Sequence, residues 1–183
     1  MTVRPAIAMM LVWSLLGTAI YSMPPEPGQR SLSYSSHAAG IEEEIRARGA
    51  SAVVRELYDH PTDWGYVMQQ IQSGSEEWLR VAVALHPGSD AGPSEMLGDS
   101  VGIALIRAPE SVFRFAIPAF GLDVLCGGRQ DPLPTYVEAS AELEAQIASV
   151  ARVKTTGVRP ARNRCLEKLK QSRTNLKRFF EVK

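Results

Sequence analysis

The feature that most constrains this chain is a repeated punctuation. From residue 38 onward, short apolar stripes at helical spacing alternate with turns built from Gly, Pro, Ser and Asp. Apolar residues recurring at i, i+3, i+4 and i+7 share one side of a helix, and that side must be buried against another element. No run alternates with the period of a strand, and β-branched clusters are few. The pattern predicts an all-α fold of about eight helices.

The punctuation also sets the expected boundaries. Ser36 is placed to cap a first helix over 38–48, with Ile41 and Ile45 inward and Gly49 at its end. A second helix, 51–59, carries Val53, Val54, Leu57 and Tyr58, and His60-Pro61-Thr62-Asp63 breaks it. Thr62 is the expected N-cap of a third, 63–72, which turns Trp64, Val67, Met68 and Ile71 inward. Ser73-Gly-Ser-Glu76 reads as a capping box for a fourth, 75–86, striped by Trp78, Leu79, Ala82 and Leu85. Pro93 suits the first position of a fifth, 93–107, bearing Met96, Leu97, Val101, Ala104 and Leu105. Pro109 opens a sixth with Val112, Phe113 and Ala116 inward, until Pro118 interrupts it. The short apolar stretch 122–126 leads into Gly127-Gly128 and a loop, 129–134. Thr135-x-x-Glu138 is another capping box, for a helix with Val137, Ser140, Leu143, Ile147 and Val150 on one face. A last helix, 160–180, is striped by Cys165, Leu166, Leu169, Leu176, Phe179 and Phe180.

Between about 51 and 118 the rhythm is short helix, tight turn, short helix, with Pro93 and Pro109 at helix starts. This stretch resembles the HEAT- and armadillo-like α-solenoid class, which implies a short stack of antiparallel helix pairs. A compact irregular helical bundle fits the same pattern.

The N-terminal segment differs from everything after it. Arg4 precedes the apolar run 6–16, and small residues Gly17, Thr18, Ala19 and Ser22 lead to Pro24-Pro25. This order predicts a secretory signal over 1–22, cut after Ala19 or after Ser22. The run is shorter than the roughly 20 residues that span hydrocarbon. Residues 23–36, rich in Pro and Ser, are expected to form a flexible leader, and 37–183 one helical domain. Export to the periplasm or medium makes a disulfide the simplest expectation for the two cysteines, Cys126 and Cys165.

The net charge of zero hides an asymmetry. From Arg152 onward eleven Lys and Arg face only Glu167 and Glu181, whereas residues 23–151 hold eight cations and eighteen acids. A basic tail suits an anionic membrane or nucleic acid. With so acidic a body, docking of the tail on its own domain is the expectation, and an exported chain is not expected to meet nucleic acid.

Motifs for chemistry are sparse. His37, His60 and His86 do not fall at zinc-ligand spacing, no serine lies in Gly-x-Ser-x-Gly, and no glycine-rich phosphate loop appears, so no cofactor or metal is expected. Glu42-Glu43-Glu44 splay about 100° apart on a helix and do not converge on one substrate. The reading that remains is a non-catalytic protein-binding module of the bacterial envelope. Its candidate contact residues are Glu42, Glu43, Asp59, Asp63, Trp64, Trp78, Asp90 and Glu95, acids and aromatics suited to a partner's cleft. In size, export, helicity and cysteine pair the chain is similar to the periplasmic immunity proteins that neutralise cell-wall-degrading toxins of type VI secretion. That resemblance implies another envelope protein as partner. The alternatives are an envelope enzyme using scattered carboxylates on peptidoglycan or lipid, and a structural protein that self-associates through exposed aromatics. Membrane contact is expected only through the signal segment or the basic C-terminal helix.

Overall fold

Each apolar stripe forms a helix, and glycines or prolines set most of the joints. The computed structural model describes residues 32–129 and 135–181. The segment 1–22 expected to be a secretory signal, the expected leader as far as residue 31 and the segment 130–134 lie outside the described residues. The helices are α1 (Ala38–Arg48), α2 (Ala50–Tyr58), α3 (Pro61–Gln72), α4 (Glu76–Leu85) and α5 (Ala91–Arg107), followed by α6 (109–120), α7 (Leu122–Leu125), α8 (Tyr136–Ala151) and α9 (Arg159–Glu181). No strand occurs among the described residues, so the all-α expectation holds.

The caps depart from expectation in instructive ways. α1 takes His37, not Ser36, as its N-cap. α3 begins at Pro61 with His60 before it, which places Thr62 inside the helix. A proline at the first position costs nothing there, because its missing N–H would have had no helical partner. Ser75 precedes α4 without a side-chain cap bond; Ser73 Oγ takes the Ser75 N–H instead, at 3.3 Å. α5 starts at Ala91, two residues ahead of Pro93. Thr135 does cap α8: its Oγ1 accepts from the Glu138 N–H at 3.2 Å and donates to Glu138 Oε2 at 2.7 Å. Thr135→Ala is expected to cost about 1 kcal/mol in urea unfolding, with the slope of the transition unchanged.

Pro118 does not end its helix. Residues Val112–Ala116 wind as a π-helix between the α-helical turns Pro109–Ser111 and Ile117–Phe120. A proline ring collides with the carbonyl four residues earlier and offers that carbonyl no N–H. Widening the coil just before Pro118 absorbs the misfit, and the segment runs on to Gly121, whose φ of 82° closes it.

The packing falls into two rows. α1, α4 and α6 lie successively in one; α3, α5, α8 and α9 lie successively in the other; α2 touches α1, α3 and α4 at one end. This is the neighbour order of stacked helix pairs, and α1–α2 and α9 come out at opposite ends of it. One contiguous core runs from Ala38 to Leu169.

α5 is the central member. It buries Leu97, Gly98, Ser100, Val101, Gly102, Ala104 and Leu105, more than a single stripe, because helices flank it on several sides. Met96, expected inward, is exposed. At Gly98 a side chain would meet Val124 of α7, and Gly102 faces the Gln146 amide of α8. Gln146 Nε2 donates to the Gly102 carbonyl at 3.0 Å and Ser149 Oγ to the Ile106 carbonyl at 2.7 Å. The inward face of α8 is therefore Leu143, Gln146, Ser149 and Val150, and Val137, expected inward, is 75 % exposed.

The basic tail is docked. Cys165 and Leu169 of α9 are buried, Leu166 and Leu176 pack at the edge of the core, and Cys165 is bonded to Cys126. Lys168 pairs with Asp123, and Arg173 with Glu144 at 3.1 Å. Tyr136, at the start of α8, touches Phe180, near the end of α9, so the two helices run antiparallel.

Candidate functional site

The eight candidate contact residues do not share one surface. Asp63 is only 3 % exposed, and Trp64 and Trp78 are buried as well. These three are corrected to structural roles. Asp63 accepts hydrogen bonds from the Leu32 N–H at 3.2 Å and from the buried Ser35 hydroxyl, which fastens the segment before α1 onto α3. Leu32 and Tyr34 also pack on the core, so residues 32–36 belong to the folded body and not to a flexible leader. Trp64 lies under Tyr58 edge to face, ring centres 5.7 Å apart, and its indole N–H donates to Met96 Sδ at 3.2 Å. Trp78 packs edge to face on Tyr66.

Of the other five, Asp59 and Asp90 come together. The C-terminal half of α2 and the turn before α5 enclose a cleft of about 340 Å³, lined by Ser51, Arg55, Tyr58, Asp59, Gly88 and Asp90 with Val54 and Pro93. Ser51, Arg55 and Tyr58 follow at helical spacing, so one face of α2 makes the wall. That spacing was visible in the sequence, but the polar residues among the apolar ones hid it.

Glycine fixes the opposite wall. A Cβ on Gly88 would stand 2.3 Å from the Ala50 carbonyl carbon and from the Ser51 nitrogen, and one on Gly92 would stand 3.1 Å from the Tyr58 hydroxyl. The turn therefore lies directly on α2. Between Asp90 and Gly92, Ala91 takes a φ of 39°, a left-handed conformation costing a residue with a side chain roughly 1 kcal/mol. Tyr58 and Met96 are exposed, with Trp64 holding both from below.

The local charges are only partly neutralised. Glu43 pairs with Arg46, and Arg48 binds both Glu44 and Glu56. The hydrogen bond from Arg48 holds the Glu56 carboxyl below the usual carboxylate range; burial, followed by the bond to Glu56, pushes the Tyr34 hydroxyl up to about 12. Glu42, Asp59, Asp90 and Glu95 form no ion pair among the described residues. Across residues 32–99 eleven acids stand against four arginines, so this end of the stack is strongly acidic.

A second concavity of about 330 Å³ lies between α8 and α9. Leu143, Leu176 and Phe179 supply its apolar wall, and Arg129, Glu142 and Gln146 its polar one. Arg129 lies 3.7 Å from Asp99 and 3.4 Å from Glu142, so a single guanidinium joins α5 and α8 through two carboxylates. The sequence offered only a loop arginine after two glycines, with no sign that it returns between two helices.

The histidines are separate. His37 is exposed at the start of α1, the His60 ring lies on the Glu56 carbonyl, and His86 stacks on Phe120 with ring centres 4.1 Å apart. Among the described residues no helix is long and apolar enough to cross a membrane. Comparison with family models, curated proteins and solved structures finds no match for this chain.

Proposed function

We propose that this chain is an exported, non-catalytic protein-binding module of the bacterial envelope, of the kind that occupies and inhibits a cell-envelope toxin, and that the acidic end of its helical stack receives the partner. The observation that carries this reading is where the basic tail docks. α9 pairs with Asp123 and Glu144 at the far end and makes no ion pair with Glu42, Glu43, Asp59, Asp90 or Glu95 among the described residues. The acidic surface is thus left uncovered by the one segment of the chain with charge enough to neutralise it. Around the cleft, exposed Tyr58 and Met96 supply rigid aromatic and adaptable thioether area beside Asp59 and Asp90, a composition that suits a cationic protein surface. The signal-like segment 1–22 and the fully buried Cys126–Cys165 bridge support an oxidising compartment.

Co-purification from an envelope extract tests the reading. The protein is expected to retain a discrete basic partner, and Asp59→Asn with Asp90→Asn is expected to weaken that complex by tenfold or more, on the order of 1–2 kcal/mol. Because both acids are exposed, the melting temperature should stay where it was. An extract that yields no stable partner, or a complex indifferent to both changes, would overturn the proposal.

A further inference from the structure

Docking α9 buries one side of it and leaves another unaccounted for. Residues 159, 162, 166, 170, 173, 177 and 180 are spaced three or four apart and therefore line one flank of the helix, beside the buried stripe of Cys165, Leu169 and Leu176 and with Leu166 at the edge of the core. Five of them are cations: Arg159, Arg162, Lys170, Arg173 and Lys177. Arg173 is engaged by Glu144, Lys177 by Glu181 and Arg162 by the Val153 carbonyl, whereas Arg159 and Lys170 form no ion pair among the described residues. Arg164 and Arg178, on the opposite side of the helix, form none either. From Arg152 to Glu181 the chain carries ten cations against two acids.

Apolar surface collects at one end of this basic helix. Tyr136, Val137 and Phe179 are exposed, and Phe180 joins them, its ring 5.7 Å from Tyr136 and 5.3 Å from Phe179. Aromatic rings beside long cationic side chains suit the boundary between headgroups and acyl chains: the rings enter the interface while Lys and Arg stems reach out to phosphate.

We infer that the basic flank of α9, with the Tyr136, Val137, Phe179 and Phe180 cluster at its end, is a docking surface for an anionic phospholipid bilayer. Charge argues for both the occupant and the orientation. The basic end is drawn to an anionic surface, and the acidic end, at the other extreme of the stack, is repelled by it and faces the aqueous side. The inference stands apart from the identity of any protein partner.

Sedimentation of the full-length chain with vesicles tests it, comparing phosphatidylcholine alone with phosphatidylcholine mixed with phosphatidylglycerol. Binding is expected only to the mixed vesicles, and to weaken as salt rises. The variant Arg159→Gln, Lys170→Gln, Lys177→Gln changes only surface positions and should melt as the unaltered protein does, yet partition roughly tenfold or more less well. Phe179→Ser should reduce binding while leaving its salt dependence in place. Equal binding to both vesicle types, or binding that the triple variant retains, would overturn the inference, because the apolar segment near the N-terminus would then suffice. Preference for a soluble acidic protein over the vesicles would overturn it as well.

Discussion

Replacing both Cys126 and Cys165 with alanine is expected to lower the unfolding free energy by about 4 kcal/mol, a greater loss than any surface substitution in this chain should bring. The bridge closes a separation of 39 residues, and in the chain-entropy description a loop of that length removes that much freedom from the unfolded ensemble. What is released is specific. Cys126 follows the single turn of α7, and Cys165 lies near the start of α9, so the bridge ties the last helix of the stack to the segment that packs on α5. Without it, α9 is held by Leu169, by the edge contacts of Leu166 and Leu176, and by exposed ion pairs that contribute little in water. Urea unfolding followed by circular dichroism should show the midpoint falling, and reductant should lower the unaltered protein to the same curve. A midpoint insensitive to both treatments would mean that the bridge constrains little.

Gly88→Ala is expected to be the next most costly change, at about 3 kcal/mol, and to reach the cleft as well as the core. The added Cβ would meet two backbone atoms of α2 at 2.3 Å and the Ala50 Cβ at 2.7 Å. No rotamer relieves such a contact, so the turn must lift from the helix, with the cost typical of overpacking. Asp90 and Pro93 move with the turn, and the cleft they share with Tyr58 and Asp59 changes shape. The expected result is therefore double: a lower melting temperature, and loss of the partner captured from an envelope extract at temperatures where the variant is still folded. Asp90→Asn provides the contrast, since it should weaken capture with no loss of stability. A Gly88→Ala protein that melts normally would remove the argument that this turn is seated directly on α2.

The helices were legible because their signals are local. Gly49, Pro109 and the Thr135–Glu138 pair each mark a joint that the structure uses, and the apolar stripes of α2, α3 and α4 are buried largely as their spacing predicts. What the sequence concealed depends on neighbours. Val137 belongs to the apolar register of α8, but the helix is rotated by two hydrogen bonds, Gln146 to Gly102 and Ser149 to Ile106, that a hydrophobic count treats as blemishes. Pro118 reads as a break because a proline cannot continue an α-helix; that a helix can widen to π and go on is a matter of the packing around it. Asp63 reads as a surface acid at a helix start, and only the return of Leu32 and Ser35 over α3 makes it a buried acceptor. The candidate site was legible in part for the same reason. Asp59 and Asp90 are far apart in the chain, and nothing local states that a turn carrying Gly88 sets them across one cleft.

The position of α9 at the end of its row has a further consequence. A stack of helix pairs has two faces onto which another pair could be added, and each is an invitation to open-ended growth unless something polar closes it. Here the closing piece is a helix whose outward sides carry like charge. Two copies that approach through their α9 ends would meet cation against cation, and that repulsion opposes pairing of like ends. Charge on the last helix thus disfavours a symmetric pair through this surface, independently of whatever else it binds.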